Sequence, residues 1–313
     1  MMLDHANPKT SSDFHTAVLK GLSQDTKSIS PKWLYDAQGS ALFEEITRLP
    51  EYKLTRTETE ILHSNSGLLA SLVPRGGALV EFGSGASVKT RLLLDHGEHF
   101  GAYVPIDISE AFLIHTAITL RADYPRLRVL PVVGDFLSPV RFPEMLKNRP
   151  KTGFFPGSTI GNITSEDASK LLERARRWSG TGRFILGLDL VKDEAELISA
   201  YNDVQGITAA FISNILHRMK RELDADIDAE TFCYCAEWND VAEQIEMSLV
   251  SSKRQTITVG GRAFLFEEGE RLHVSTSRKF TRNRIETLAQ AAGWALEDLL
   301  TDDRQTVAIA VLR

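Results

Sequence analysis

Residues 78–109 read ALVEFGSGASVKTRLLLDHGEHFGAYVPIDIS: a strand, a glycine turn, a helix and a second strand that ends on an acid, Asp107. Glycine reaches backbone conformations closed to other residues, so Gly83 and Gly85 allow a tight reversal and a close backbone approach to a ligand. Asp107, about two dozen residues on, is placed to accept hydrogen bonds from a ribose diol. A dinucleotide fingerprint would carry Gly or Ala at position 88, where a small residue lets helix and strand pack closely; here it is Val88. The turn therefore offers no obvious pyrophosphate cradle. An adenosyl cofactor without phosphates fits better, and S-adenosyl-L-methionine is the commonest of those. A nicotinamide oxidoreductase shares this start and Asp107, and Val88 counts against it.

Outward from this stretch, strand and helix patterns alternate between Leu79 and Leu190: LVEF, VKTRLLLD, AYVPID, EAFLIHTAITLRADY, RVLPVVGDF, GFFPGSTIGN, EDASKLLERARRW and RFILGLDL. Such alternation predicts an α/β fold with a doubly wound, Rossmann-like parallel sheet. Ligands of these sheets bind outside the carboxyl ends of the strands, where the pattern puts Gly83, Asp107, Asp135 and the Gly157 to Asn162 loop. After the helix pattern NRIETLAQAAG, WALEDLL and TVAIAVLR form a predicted antiparallel hairpin at the sheet edge. Between Asp193 and Phe280 the rhythm changes. Ile207, Phe211, Ile215, Met219 and Leu223 recur every fourth residue as one helical stripe, followed by the short strands FCYCAEW, QIEMSLVSS, QTITV, RAFLF and RLHVSTS with Gly260 and Gly261 at a hairpin turn. The expected organisation is an inserted α+β substrate-binding domain from residues 1–56 and 193–279, and a cofactor-binding domain from 57–192 and 280–313.

A chain of 313 residues exceeds one ordinary hydrophobic core, in keeping with two domains. A formal net charge of -6 argues against a protein that wraps nucleic acid and for a small-molecule partner. The N-terminus lacks a basic region followed by a long apolar run, and no stretch is apolar enough to span a membrane, so a cytoplasmic monomer is expected. Cys233 and Cys235 in the CYC pattern read as reduced core thiols on one strand face, opposite Tyr234. The only tight histidine pair, His96 and His99 in HGEH, reads as solvated loop, and no metal is expected.

The runs PKWLYDAQGSALFEEITRLPEYKLTRTETEIL, VEFGSGASVKTRLLLD, GSTIGN, LDLVKDEAELISAYND and GITAAFISNILHRMKRELDADID resemble the histidine-specific methyltransferase family, which makes hercynine, the trimethyl betaine of histidine, on the route to ergothioneine. The resemblance extends from about Pro31 to Arg313. It implies the class I methyltransferase sheet with S-adenosyl-L-methionine as methyl donor. Carried over residue by residue, it places the cofactor on Tyr35, Gly83, Lys89, Asp107, Asp135 and Phe136. It places the acceptor's amine and carboxylate on Tyr52, Gly157, Thr159, Asn162 and Tyr201, with Met247 and Ser277 lining the side-chain pocket. Tyr52 and Asn162 are the groups implied nearest the chemistry.

Each position has a plainer reading. Asp107 and Asp135 could cap turns, Asn162 could cap the helix that follows, Tyr52 and Tyr201 could be half-buried tyrosines, and Met247 could be core filler. The departures carry information too. Ser275 stands where the family has a glutamate that pairs with the imidazole, and Lys53-Leu54 replaces the Tyr-Pro after LPEY. Losing an ionised acceptor opposite a ring N–H removes about 1.5 to 3 kcal/mol in a dry site, tenfold to over a hundredfold in discrimination. Histidine remains the implied acceptor. Tryptophan or tyrosine, whose larger rings would use the freed volume, and a catalytically silent binding protein are the alternatives.

Overall fold

The computed structural model describes residues 8–178 and 180–313, which divide into two compact units. One takes the chain up to Lys53 together with Asp193–Ser277, and the other takes Leu54–Lys192 with Arg278–Arg313. In chain order, the first unit opens with α1 (Pro8–Leu22) and α2 (Ala37–Ile46). Asp36, in the WLYD run, caps α2 by accepting from Gly39 N at 2.8 Å, which fixes the backbone next to Tyr35.

The second unit begins with α3 (Leu54–Ser64) and α4 (Ser66–Ser71). There follow β1 (Ala78–Phe82), α5 (Val88–Leu94), β2 (Ala102–Asp107), α6 (Glu110–Asp123), β3 (Val132–Val133), β4 (Lys151–Phe155), α7 (Ser165–Arg176) and β5 (Arg183–Asp189). Every residue of β1 and β4 is buried, as expected of parallel strands covered on both faces. β1 pairs in parallel with both β2 and β4, so the chain reverses its direction of travel across the sheet at the β1/β4 boundary. That reversal is where a doubly wound sheet binds ligands.

The chain then enters the insertion, with α8 (Glu194–Tyr201), α9 (Ile207–Leu223), β6 (Phe232–Asn239), β7 (Gln244–Ser251), β8 (Gln255–Val259), β9 (Arg262–Phe266) and β10 (Arg271–Arg278). β10, β7 and β6 form a three-stranded sheet in that order, and β8 pairs with β9 across Gly260 and Gly261. Both glycines have positive φ (+54° and +77°), which suits a tight hairpin with the native strand twist. The segment around Ser28 runs beside β10, with Ile29 N donating to His273 O at 2.9 Å. Phe211, Ile215, Met219 and Leu223 of the α9 stripe are buried, and Ile212 and Leu216 widen it.

The second unit is completed by α10 (Arg282–Ala291), β11 (Leu296–Thr301) and β12 (Val307–Leu312). The seven strands run β3-β2-β1-β4-β5-β12-β11, with β12 antiparallel to both neighbours. The α/β, doubly wound sheet expected from the sequence is present, including its closing hairpin.

Two expectations are corrected. RVLPVVGDF forms a strand only at Val132–Val133, because Pro131 has no N–H for a ladder; pairing resumes before it as a single bridge between Tyr103 and Val129. Cys233 and Cys235 are free thiols but not core: Cys233 is exposed and Cys235 half-buried. Tyr234 takes the inward side of β6, its hydroxyl donating to Tyr201 O at 2.6 Å.

Candidate functional site

At the end of β1 the chain turns through Gly83 (φ +60°), Gly85 (φ +47°) and Ser87 (φ +52°). Gly85 N donates to Asp107 Oδ2 at 3.1 Å and Ser109 N donates to Asp107 Oδ1 at 2.9 Å, so the acid at the end of β2 is oriented by backbone on both oxygens. Each carboxylate oxygen keeps a lone pair for a further donor. Below the turn lies Glu81, buried on β1, accepting from Thr90 Oγ1 at 2.6 Å and from the Tyr103 hydroxyl. Desolvation pushes its carboxyl up to about 7, against the lowering pull of those two hydrogen bonds and of the Lys89 charge.

Asp135 Oδ1 accepts from Leu137 N at 2.8 Å, and Phe136 meets Phe155 and Phe82 edge-on at 5.2 and 6.1 Å. Two exposed apolar side chains, Ile108 and Val133, follow β2 and end β3. Sequence reasoning missed both, although for Ile108 an apolar residue directly after a strand-end acid was the available signal. Tyr35 belongs to the other unit, where it meets Phe211 and Phe43 edge-on at 5.4 and 5.6 Å.

Lys89 forms an ion pair with Glu58, whose carboxylate is fully buried and also accepts from Gly157 N at 2.7 and 3.0 Å. Glu58 was missed as well. Its signal was an acid among Leu54, Ile61 and Leu62 on the buried side of α3. Gly157 and Ser158 both have positive φ, and Ser158 Oγ accepts from Asp189 N at 2.9 Å, which fixes the turn after β4 against the end of β5. Thr159 Oγ1 donates to Pro156 O at 3.3 Å. Asn162 closes a short 3-10 turn and is half-buried; the cap of α7 is Thr164, which accepts from Asp167 N at 3.1 Å. The helix-cap reading of Asn162 therefore fails.

Asp189 is buried between Lys279 Nζ at 2.7 Å and Lys192 Nζ at 2.6 Å. Burial alone would raise its carboxyl, but the two ammonium groups outweigh burial and hold it below the usual carboxylate range.

In the unit carrying the insertion, the buried Tyr52 and Tyr201 rings meet edge-on at 5.9 Å, and Tyr201 Oη and Ser277 Oγ lie 2.7 Å apart. Ser275 and Ser277 are two residues apart on β10 and both buried, and Met247 is buried on the adjacent β7. The structure thus joins Tyr52, Tyr201 and Ser277 in one contact chain.

Does the glycine turn suit an adenosyl cofactor? Ser84 Oγ is buried and, among the described residues, has no hydrogen-bond partner. A Cβ built at Gly85 or Gly134 would meet nothing within 4 Å, so the backbone of both loops borders open space. An orphan hydroxyl, a pre-oriented acid and exposed apolar groups together fit a polar, ring-bearing ligand.

Residues 14–313 match the family described as histidine-specific, SAM-dependent methyltransferase. The chain belongs to this family. The methyltransferase is 41% identical over 286 residues to histidine N-alpha-methyltransferase of Mycobacterium tuberculosis, a match spanning 88% of this chain and 87% of that one. It is 40% identical over 287 residues to the protein of the same name from Mycolicibacterium smegmatis, with the same two shares. It is also 30% identical over 274 residues to ergothioneine biosynthesis protein 1 of Neurospora crassa, spanning 83% of this chain and 30% of that longer one. The methyltransferase uses S-adenosyl-L-methionine, so the resemblance, enzyme class and cofactor expected from the sequence stand.

Proposed function

We propose that the methyltransferase transfers methyl groups to the α-amino nitrogen of L-histidine, giving the trimethyl betaine hercynine. The observation that carries this reading is the buried contact chain of Tyr52, Tyr201 and Ser277, ring against ring and then hydroxyl to hydroxyl, in a protein 41% identical to a histidine N-alpha-methyltransferase. Gly83, Lys89, Asp107, Asp135, Phe136 and Tyr35 are the proposed cofactor residues. Tyr52, Gly157, Thr159, Asn162, Tyr201, Met247, Ser275 and Ser277 are the proposed acceptor residues.

Bound S-adenosyl-L-methionine supplies a methyl carbon already activated by its sulfonium. The protein's work is then mainly to desolvate the amine and aim its lone pair along the line of displacement. An α-ammonium has no lone pair, so its proton must leave first, to water or to a polar side chain such as the Tyr52 hydroxyl. Tyr201 Oη and Ser277 Oγ are suited to hold the acceptor's polar groups, since each hydroxyl both donates and accepts. The Tyr52 ring face would stabilise the positive charge that builds on nitrogen. After three transfers nitrogen has no lone pair and the reaction stops.

Ser275 favours a second reading. It is 5% exposed, and a buried serine offers only a neutral hydrogen bond where the family has a carboxylate. The second acceptor class is therefore tryptophan or tyrosine, methylated at the same α-amine. Incubating the protein with S-adenosyl-L-methionine and an equimolar pool of amino acids, followed by mass spectrometry, tests both. Trimethylhistidine as the dominant product supports the first, a methylated larger aromatic supports the second, and methylation of neither sinks the proposal. Among the described residues no helix is long and apolar enough to cross a membrane. A cytoplasmic monomer is the working assignment, which gel filtration and fractionation test.

A further inference from the structure

Glu58 is unusual among the charged groups of the second unit. Its side chain is fully buried, yet it lies on α3, outside the glycine turn and the strand ends. Both of its oxygens accept from Gly157 N, at 2.7 and 3.0 Å, and Oε2 also takes the Lys89 ammonium. Space for the carboxylate is provided by an absent side chain: a Cβ at Gly187 of β5 would fall 1.7 Å from Glu58 Oε1. Any residue other than glycine there would evict the acid.

Lys89 differs from its partner in one respect. Its side chain is 18% exposed, so the ammonium sits at the edge of the buried region, 3.7 Å from where a Gly157 Cβ would be. An ammonium has three donors, and Glu58 takes one. The rest are available to an anion on the open side. S-adenosyl-L-methionine carries a single anionic group, the carboxylate of its amino-acid end, beside an ammonium and a sulfonium. A bare lysine would attract that carboxylate but repel the sulfonium. A lysine paired with a buried carboxylate keeps its hydrogen-bond donors while its charge, seen from further away, is cancelled.

We propose that Glu58 is a positioning residue of the cofactor site: it fixes Lys89 Nζ and the Gly157 turn, and it balances the Lys89 charge so that a cationic sulfonium is not penalised. This rests on the assignment of Lys89 to the cofactor made above. It separates Glu58 from a merely structural acid, because charge balance distinguishes two ligands of nearly equal shape, S-adenosylmethionine with its sulfonium and S-adenosylhomocysteine with its neutral thioether.

The experiment is titration calorimetry of both ligands on the full-length wild type, Glu58→Gln, Glu58→Asp and the double variant Glu58→Gln/Lys89→Met, with thermal unfolding of each. Glu58→Gln should weaken S-adenosylmethionine about tenfold and S-adenosylhomocysteine less, shifting the affinity ratio about fivefold against the sulfonium. Glu58→Asp should recover most of the ratio. The double variant, with both charges gone, should bind both ligands more weakly but at the wild-type ratio. If Glu58→Gln does not fold, the double variant decides alone: a changed ratio overturns the proposal. An unchanged ratio in folded Glu58→Gln also overturns it. Wild type that binds neither ligand would instead remove the cofactor assignment on which the proposal rests.

Discussion

Asp107 Oδ2 accepts the Gly85 N–H at 3.1 Å, which ties the acid at the end of β2 to the glycine turn at the end of β1. The carboxylate is thereby oriented before any ligand arrives, and a hydrogen bond to a pre-oriented ionised acceptor needs little further ordering. Asp107→Ala should lower S-adenosylmethionine affinity by about a hundredfold or more, through the loss of acceptors for two ribose hydroxyls at about 1.5 to 3 kcal/mol each. The fold should persist, because Asp107 is only half-buried. Calorimetry beside a thermal melt checks both parts; unchanged affinity in a folded variant would show that the ribose lies elsewhere.

Asn162 and Thr164 should behave oppositely. Thr164→Ala removes the cap of α7 and should cost about 1 kcal/mol of stability with little effect on turnover. Asn162→Ala should leave stability and cofactor affinity nearly intact while most turnover is lost. Single-turnover rates and melting curves on the two variants separate the roles, and wild-type rates in Asn162→Ala would remove it from the acceptor site.

Ser275→Glu should raise the ratio of histidine to tryptophan or tyrosine turnover by at least about tenfold. The carboxylate restores a charged acceptor for an imidazole N–H and fills volume that a larger ring needs, two effects with the same sign. Values of kcat/KM for the three amino acids in both proteins provide the measurement. No shift, or one toward the larger rings, would show that Ser275 does not face the acceptor.

The buried acids set opposite pH slopes. Glu81 is raised from 4.5 to about 7 in the folded state, so between those values the folded protein holds a proton that the unfolded chain has released. Its contribution is complete below pH 4.5 and is lost as pH rises through about 7, on the order of 3 kcal/mol. Asp189 is lowered from 3.8, so its contribution is present above that pH and is lost as pH falls through its folded value. Urea midpoints measured from pH 4 to 8 should decline across the upper window in the wild type and flatten in Glu81→Gln; equal slopes would place the titration on another group.

What the sequence discloses follows how local each feature is. The glycine turn, the acids at strand ends and the closing hairpin are each written within a few consecutive residues, and β1, β2, β5, β11 and β12 appear as read. Glu58 stayed hidden because its partners lie 31 and 99 positions away, and nothing in TRTETEIL says that a glycine on β5 will leave room for it. The CYC pattern gave the alternation correctly but not which face looks inward, a choice made by Tyr234 and its bond to Tyr201. Tyr201 and Ser277 meet across 76 residues, and only resemblance had suggested them together.

The pair formed by Asp189 and Lys279 has a consequence for how this protein can diversify. The segment leaving β5 and the segment returning from β10 are bridged side by side at Leu190 and Phe280, and the buried ion pair fastens them just inside the sheet. The stretch between them, Asp193–Ser277, belongs to the other unit. A substitution in the insertion leaves the Asp189–Lys279 charges and the Leu190–Phe280 bridge unchanged in kind. The residue at position 275 and the proposed donor residues Gly83, Lys89, Asp107, Asp135 and Phe136 belong to different units, so the first can be exchanged without replacing any of the others.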